Sequence, residues 1–256
     1  MPGSGVNERH ALSRNELLAL LRRVFEAIFG KSCDYEAMAE QIAWLECHGL
    51  GGFDLLCACL NRLDNEEHPS DGLLIEASSA DSVVNDLDAG GASLLCFGDV
   101  LADLLVARCA DRESCRVKIA NLREGQAIIP QLHRMALAGR FAAARITNPS
   151  NGTSWYAHVS SSAFLPVLSG FQETKDCGAL VSLNVVCAAN EHALQEAMNS
   201  LDPQWPEPTI TPGQLADCNA DCLRNGIPVS DLAALNAVAD RILVEATEDS
   251  RRGAGE

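Results

Sequence analysis

The chain reads as an α/β protein with a mixed sheet and a β-α-β-α-β core. A helical unit drawn from its N- and C-terminal helices is expected to flank that core. Three observations carry this expectation. Apolar residues recur at helical spacing near both ends, and strand-like runs alternate with helical ones between Leu73 and Leu201. Pro203, Pro206, Pro208 and Pro212 then mark off the C-terminal part. With 256 residues, 47% hydrophobic and 21% charged, the chain is long enough to bury a sizeable core.

Residues 1–12, with Gly3 and Gly5 among mixed polar side chains, read as a disordered leader. Ser13 and Glu16 form a capping box, in which each side chain satisfies an amide that the helix start leaves unpaired. Leu17, Leu20, Leu21, Val24 and Ile28 then share one face, and Gly30 stops the run. Asp34 caps a second helix carrying Met38, Ile42 and Leu45 on one side. Gly49, Gly51 and Gly52 interrupt it, and Phe53 to Leu63 is a third helix, so the N-terminal helical part covers residues 13–68.

Leu73–Ala77 and Ser82–Leu87 read as short strands opening a sheet domain over residues 69–202. Phe97–Ala110 is helical, Arg116–Asn121 a strand, Glu124–Ala138 helical and Arg140–Thr147 a strand. That order implies crossovers onto a partly parallel sheet. Trp155–Ser162, Phe164–Leu168 and Ala179–Ala188 add strands, and Asn190–Leu201 a helix. Residues 203–212 form a stiff linker. Helices over Gly213–Arg224 and Ser230–Ala246 follow, packing on the N-terminal ones, and residues 247–256 form a polar tail.

A net charge of −16 argues against nucleic acid, which needs clustered Lys and Arg. No apolar run approaches the roughly 20 residues of a membrane helix, and the first residues hold no signal-peptide core. A cytoplasmic protein without a membrane partner is expected. The 11 cysteines then read mainly as small buried hydrophobes. Cys57 with Cys59 and Cys218 with Cys222 lack a second pair at zinc-binding spacing, so no metal is expected.

The residue of most chemical interest is His48, in Cys47-His48-Gly49 at the end of the second helix. One reading makes it a partner of Gly49 in a helix stop. The other makes it a proton donor, because the negative end of the helix dipole favours the imidazolium. Gly90-Gly91 before a helix reads as a turn, or as a cradle holding a phosphate on helix-start amides. No Gly-x-Gly-x-x-Gly or Walker-type loop occurs, so no cofactor is expected from motifs. His133, His158 and His192 stand isolated in sequence, and Asp99 with Asp103 read as one solvated helix face.

Several segments in shared order resemble the malate/L-lactate dehydrogenase family that is unrelated to the Rossmann-type enzymes. Ala39 to Phe53 is similar to that family's helix leading into a Ser-His-Gly turn, and Val83 to Gly91 to its glycine-bearing strand exit. Val117 to Asn121 continues the order. Ala144-Arg145-Ile146-Thr147-Asn148-Pro149-Ser150 resembles its Thr-Asn-Ser strand end. Pro212-Gly213-Gln214 and Gly226-Ile227-Pro228 resemble its closing helices.

The resemblance implies NAD(P), a small 2-oxo or cyclic imino acid, a homodimer, and His48 as general acid. Asn121, Arg123, Thr147, Asn148 and Ser150 become ligand-binding candidates. The pattern also departs from the family. Gly51-Gly52-Phe53 stands where an Arg clamps the substrate carboxylate, Leu122 stands where a second His is found, and only Asn151 to Leu201 fills a segment that is long in the family. The expected function is therefore a divergent relative that has lost most of the nicotinamide site and binds a small metabolite or a partner. A shortened reductase and a cofactor-independent isomerase or lyase are the alternatives.

Overall fold

Helix α1 (Arg14–Phe29) begins where the sequence places it. Ser13 Oγ accepts from the Glu16 amide, Glu16 Oε2 accepts from the Ser13 amide, and Gly30 closes the helix. The computed structural model describes residues 10–30, 33–65, 84–160, 163–171, 179–229 and 232–242. The strand expected at Leu73–Ala77 lies outside them.

Helices α2 (Tyr35–Cys47) and α3 (Gly52–Asn65) complete the N-terminal helices. Strand β2 (Val84–Asp88), α4 (Leu94–Arg108), β3 (Ser114–Leu122), α5 (Ile128–Leu137) and β4 (Phe141–Thr147) realise the β-α-β-α-β core. The helix expected from Glu124 starts instead with a 3-10 turn at Gly125–Ala127, because Glu124 takes a left-handed backbone that no helix interior accepts. Strands β5 (Ser154–Val159), β6 (Val167–Ser169) and β7 (Val181–Ala188), then helix α6 (Glu191–Leu201), complete the middle of the chain.

Two further segments differ from expectation. His10–Leu12 is strand β1 rather than leader, because it pairs antiparallel with β9 (Ile227–Val229). Pro208–Ile210, expected in the linker, is β8, the outermost strand of the sheet beyond β6. A proline is tolerated there because an edge strand leaves one row of amides unpaired. Helices α7 (Pro212–Asn225) and α8 (Leu232–Ala239) follow, with a 3-10 turn at Asp240–Ile242.

The seven-stranded sheet runs β2-β3-β7-β4-β5-β6-β8. Among the described strands only β2 and β3 pair in parallel; the other neighbours are antiparallel. Alternation along β4 sends Ala142, Ala144 and Ile146 into the main core with the helices, and Ala143 to the opposite face under α6. The main core also joins the two ends of the chain. Leu17, Leu21 and Val24 of α1 share it with Leu215 of α7 and Leu235 and Val238 of α8. Arg23 with Asp240 and Arg241 with Asp64 add ion pairs at its margin.

Because β3 and β4 both pair antiparallel with β7, their carboxyl ends lie on one sheet edge. Leu122 stands opposite Val181 there, and Thr147 opposite Ser182.

Candidate functional site

The Cys47-His48-Gly49 turn reverses the chain between α2 and α3. Gly49 has φ of 70°, the left-handed region a glycine enters at no steric cost. Gly52 allows the two helices to approach closely. A β-carbon there would overlap the Ile42 carbonyl oxygen and stand 2.8 Å from the Glu46 amide nitrogen. Glu46 Oε2 then accepts from the Phe53 amide at 2.9 Å, pairing a donor at the start of α3.

His48 is the C-cap of α2 and is buried. Its Nδ1 lies 2.7 Å from the Trp44 carbonyl oxygen. A carbonyl only accepts, so Nδ1 carries the proton and Nε2 holds the lone pair. The imidazole stacks on Trp44 with centroids 3.9 Å apart and planes 20° from parallel. Trp44 in turn meets the His133 ring at 5.5 Å. His133 Nδ1 donates to the Phe164 carbonyl at 2.6 Å, which fixes the same tautomer.

Burial holds the His48 pKa below its ordinary value. The Trp44 carbonyl opposes that shift, while His133 and Arg14 add to it. Of the two readings of His48, the imidazolium donor is the one this setting disfavours, since loss of water works against the helix dipole.

A cleft of about 540 Å³ opens beside this stack, between the N-terminus of α1, helix α2, and helices α4 and α5. Arg14, Gln41, Trp44, Asp99, Gln131 and His133 line it. Gln41 and Gln131 are both buried. Gln41 Nε2 donates to the Leu95 carbonyl at 3.2 Å, whereas Oε1 of each glutamine has no partner among the described residues. Gly98 leaves the space between them open, since a β-carbon there would stand 3.4 Å from Gln131 Nε2 and 3.5 Å from Gln41 Oε1.

Asp99 does not belong to a solvated face with Asp103. It lines the cleft, and burial raises its carboxyl pKa against the pull of Arg134. Asp103 is not part of that lining and pairs with Arg134, which is, at 2.9 Å. Trp44 and His48 stand four apart, a spacing that puts them on one helix face and is legible in sequence. His133, Asp99 and the two glutamines are brought in by tertiary packing alone.

The remaining ligand-binding candidates gather elsewhere, on the sheet edge formed by the carboxyl ends of β3 and β4. The partners of His48, namely Trp44, His133 and Arg14, include none of them. Asn121 Nδ2 donates to both Asp88 carboxylate oxygens at 3.0 Å. The Arg123 guanidinium lies over Gly91. Thr147 Oγ1 meets Ser154 Oγ at 2.9 Å, and Asn148 Oδ1 accepts from the Ser150 amide at 2.9 Å in the β4–β5 turn.

Next to Arg123, the buried Glu124 carboxylate pairs with Arg62. Burial pushes the Glu124 pKa up, while hydrogen bonds and charge from Ser93 and Arg62 pull it back.

A dinucleotide would place its pyrophosphate on free amides at a strand-to-helix turn. The Gly90-Gly91 turn does not fit that group. The Gly90 amide donates to Asp88 Oδ1, the Gly91 amide to the Asn121 carbonyl, the Leu94 amide to the Arg123 carbonyl, and the Leu95 amide to Ser93 Oγ. The Asp88 carboxylate beside them would repel a phosphate. The sequence-level alternative of a phosphate cradle is thus replaced by a self-satisfied turn. Among the described residues no cluster of three or more His, Cys, Asp or Glu has the geometry of a metal site. No helix among them is long and apolar enough to cross a membrane.

A family model described as "Protein of unknown function (DUF3726)" matches residues 12–91. No curated protein matches the sequence. Solved structures do match in fold. A dehydrogenase from Sinorhizobium meliloti is 12% identical with a TM-score of 0.62, the match covering 90% of this chain and 99% of that one. Malate dehydrogenase from Pyrococcus horikoshii OT3 is 13% identical with a TM-score of 0.63, covering 95% of this chain and 99% of that one. The delta1-piperideine-2-carboxylate reductase from Pseudomonas syringae pvar. tomato is 14% identical with a TM-score of 0.55, covering 90% of this chain and 99% of that one. At such identities the likeness establishes a dehydrogenase-like α/β fold, in agreement with the fold class read from the sequence.

Proposed function

We propose that this chain is a divergent member of the dehydrogenase-like fold that binds a small polar metabolite in the cleft beside Trp44 and His133. The reading includes loss of the nicotinamide site. The observation that carries it is the cleft itself, with an aromatic wall, a half-buried carboxyl at Asp99, and two buried amide oxygens without partners among the described residues. A wall of that kind stacks a planar or cationic group, and the few polar groups converging on it fix orientation. The engaged amides of the Gly90-Gly91 turn support the second half of the reading.

A thermal-shift screen tests it with NADH, NADPH, small 2-oxo acids, cyclic imino acids and amino acids. At 100 times its dissociation constant, a ligand stabilises the folded state by about 2.7 kcal/mol. The reading expects a shift with a small metabolite that Trp44→Ala removes, and none with either dinucleotide. A shift with NADH or NADPH overturns the loss of the nicotinamide site and favours the shortened reductase. A metabolite shift that survives Trp44→Ala places the ligand elsewhere.

A second reading, a cofactor-independent isomerase or lyase, is favoured by Asp99. Its raised carboxyl supplies a proton donor in the cleft, and the His48 ring, stacked on the cleft-lining Trp44, supplies a proton acceptor beside it. It expects proton exchange on a bound metabolite in deuterated water, lost in Asp99→Asn with binding retained.

A further inference from the structure

Three cysteines surround the His48 turn. Cys47 ends α2 and is buried, Cys222 of α7 is half-buried, and Cys218 one turn earlier on α7 is exposed. The Cys222 thiol donates to Cys47 Sγ across 3.0 Å, bringing together residues 175 apart in sequence. Cys218 packs against the same turn, for a β-carbon on Gly49 would stand 3.0 Å from its sulfur. A disulfide has its sulfurs about 2.05 Å apart. The two thiols are thus roughly 1 Å from bonding distance, a gap that small rotations of the side chains close.

We propose that Cys47 and Cys222 form a reversible disulfide, made by exchange with low-molecular-weight disulfides, that fastens helix α7 to the His48 turn. Cys222, the more accessible of the two, attacks one sulfur of the small disulfide as its thiolate. It becomes a mixed disulfide and releases one small thiolate. Cys47 then gives its proton to solvent and attacks the Cys222 sulfur, displacing the second small thiolate. Two protein thiols are oxidised, one small disulfide is reduced to two small thiols, and no other reactant enters.

The order of attack follows from the surroundings. Burial first, and then the hydrogen bond and charge of Cys222, together push the Cys47 thiol up to about 12. The two contributions from Cys222 disappear once it is held as a mixed disulfide, so Cys47 becomes easier to ionise when its attack is due.

The experiment takes the full chain, fully reduced, and exposes it to oxidised glutathione. Acid quenching, alkylation and peptide mapping follow. The expected result is a cross-linked peptide pair joining Cys47 to Cys222, absent in Cys222→Ser and present in Cys57→Ser, which alters an exposed thiol on α3. The oxidised protein is expected to melt at least about 5 °C above the reduced one, since the bond closes a long loop. A persistent glutathione adduct on Cys222, or a Cys218–Cys222 pair in its place, overturns the proposal. So does a cross-linked protein that melts no higher than the reduced one. The wild-type mapping decides the matter even if Cys222→Ser does not fold.

Discussion

Replacing Gly52 with alanine adds one methyl group where α3 crosses the last turns of α2. That methyl would overlap the Ile42 carbonyl oxygen, and it would stand 2.8 Å from the Glu46 nitrogen and 3.2 Å from the Glu46 β-carbon. Two of the three obstructing atoms are backbone, which cannot swing aside as a side chain can. The helices must therefore separate by a substantial fraction of an ångström, loosening Leu55, Leu56 and Cys59 in the core and stretching the Phe53–Glu46 hydrogen bond. Overpacking costs about 1–3 kcal/mol where side chains yield, so a backbone clash belongs at the upper end, about 3 kcal/mol. For a protein of this size, that lowers the melting midpoint by about 6–12 °C.

Gly139→Ala is the control. Gly139 has φ of 74° with nothing near its β-carbon position, so alanine there meets only the left-handed strain of about 1–2 kcal/mol. Differential scanning calorimetry on both variants measures the comparison. A Gly52→Ala midpoint within about 2 °C of wild type, or no lower than that of Gly139→Ala, would refute the close approach that shapes the His48 turn.

Two further perturbations probe the buried charges. Because burial depresses the folded-state pKa of both His48 and His158, the unfolded chain binds more protons below the ordinary histidine value of 6.5. Stability should hold above that pH and fall as acid is added toward the folded-state values; urea denaturation from pH 8 to 5 should show the slope, and His48→Gln should flatten it. An NMR titration placing the His48 imidazole above 6.5 would reverse the sign and sink the argument. Glu124→Ala leaves Arg62 beside a buried position without its carboxylate, and should destabilise by about 3 kcal/mol. Chemical denaturation finding under about 1 kcal/mol would mean that solvent reaches Arg62 and replaces the pair.

Sequence carried the layout well where local chemistry decides it. The Ser13–Glu16 box, the Gly30 stop and the alternation along Phe141–Thr147 act over a few residues, and each produces its element. Sequence carried less where partners are distant. His10–Leu12 becomes a strand only because Ile227–Val229 lies beside it, and Pro208–Ile210 only because β6 offers an edge. The site divides in the same way. Trp44 and His48 share a helix face by spacing alone, whereas His133, Asp99, Gln41 and Gln131 converge through packing of α2, α4 and α5, which no local pattern encodes. Asn121, Arg123, Thr147, Asn148 and Ser150 do reach one sheet edge, but Asn121 is engaged with Asp88, Thr147 with Ser154, and Asn148 with the Ser150 amide, while the Arg123 guanidinium lies over Gly91.

The position of His48 sets two electrostatic effects against each other. A helix C-terminus stabilises an imidazolium by about 0.3–1 kcal/mol when exposed and up to about 2 when partly buried, which would favour a proton donor. Withdrawing the ring from water beneath Trp44 favours the neutral form, and the neighbours His133 and Arg14 act in the same sense. The Trp44 carbonyl then takes the proton on Nδ1 and leaves Nε2 as the only basic atom. A ring in that state can accept a proton at Nε2, the reverse of what an acid reducing a carbonyl requires. Burial of one ring thus accounts for how a helix turn that resembles an acid-bearing one can remain in the fold with its histidine held against Trp44.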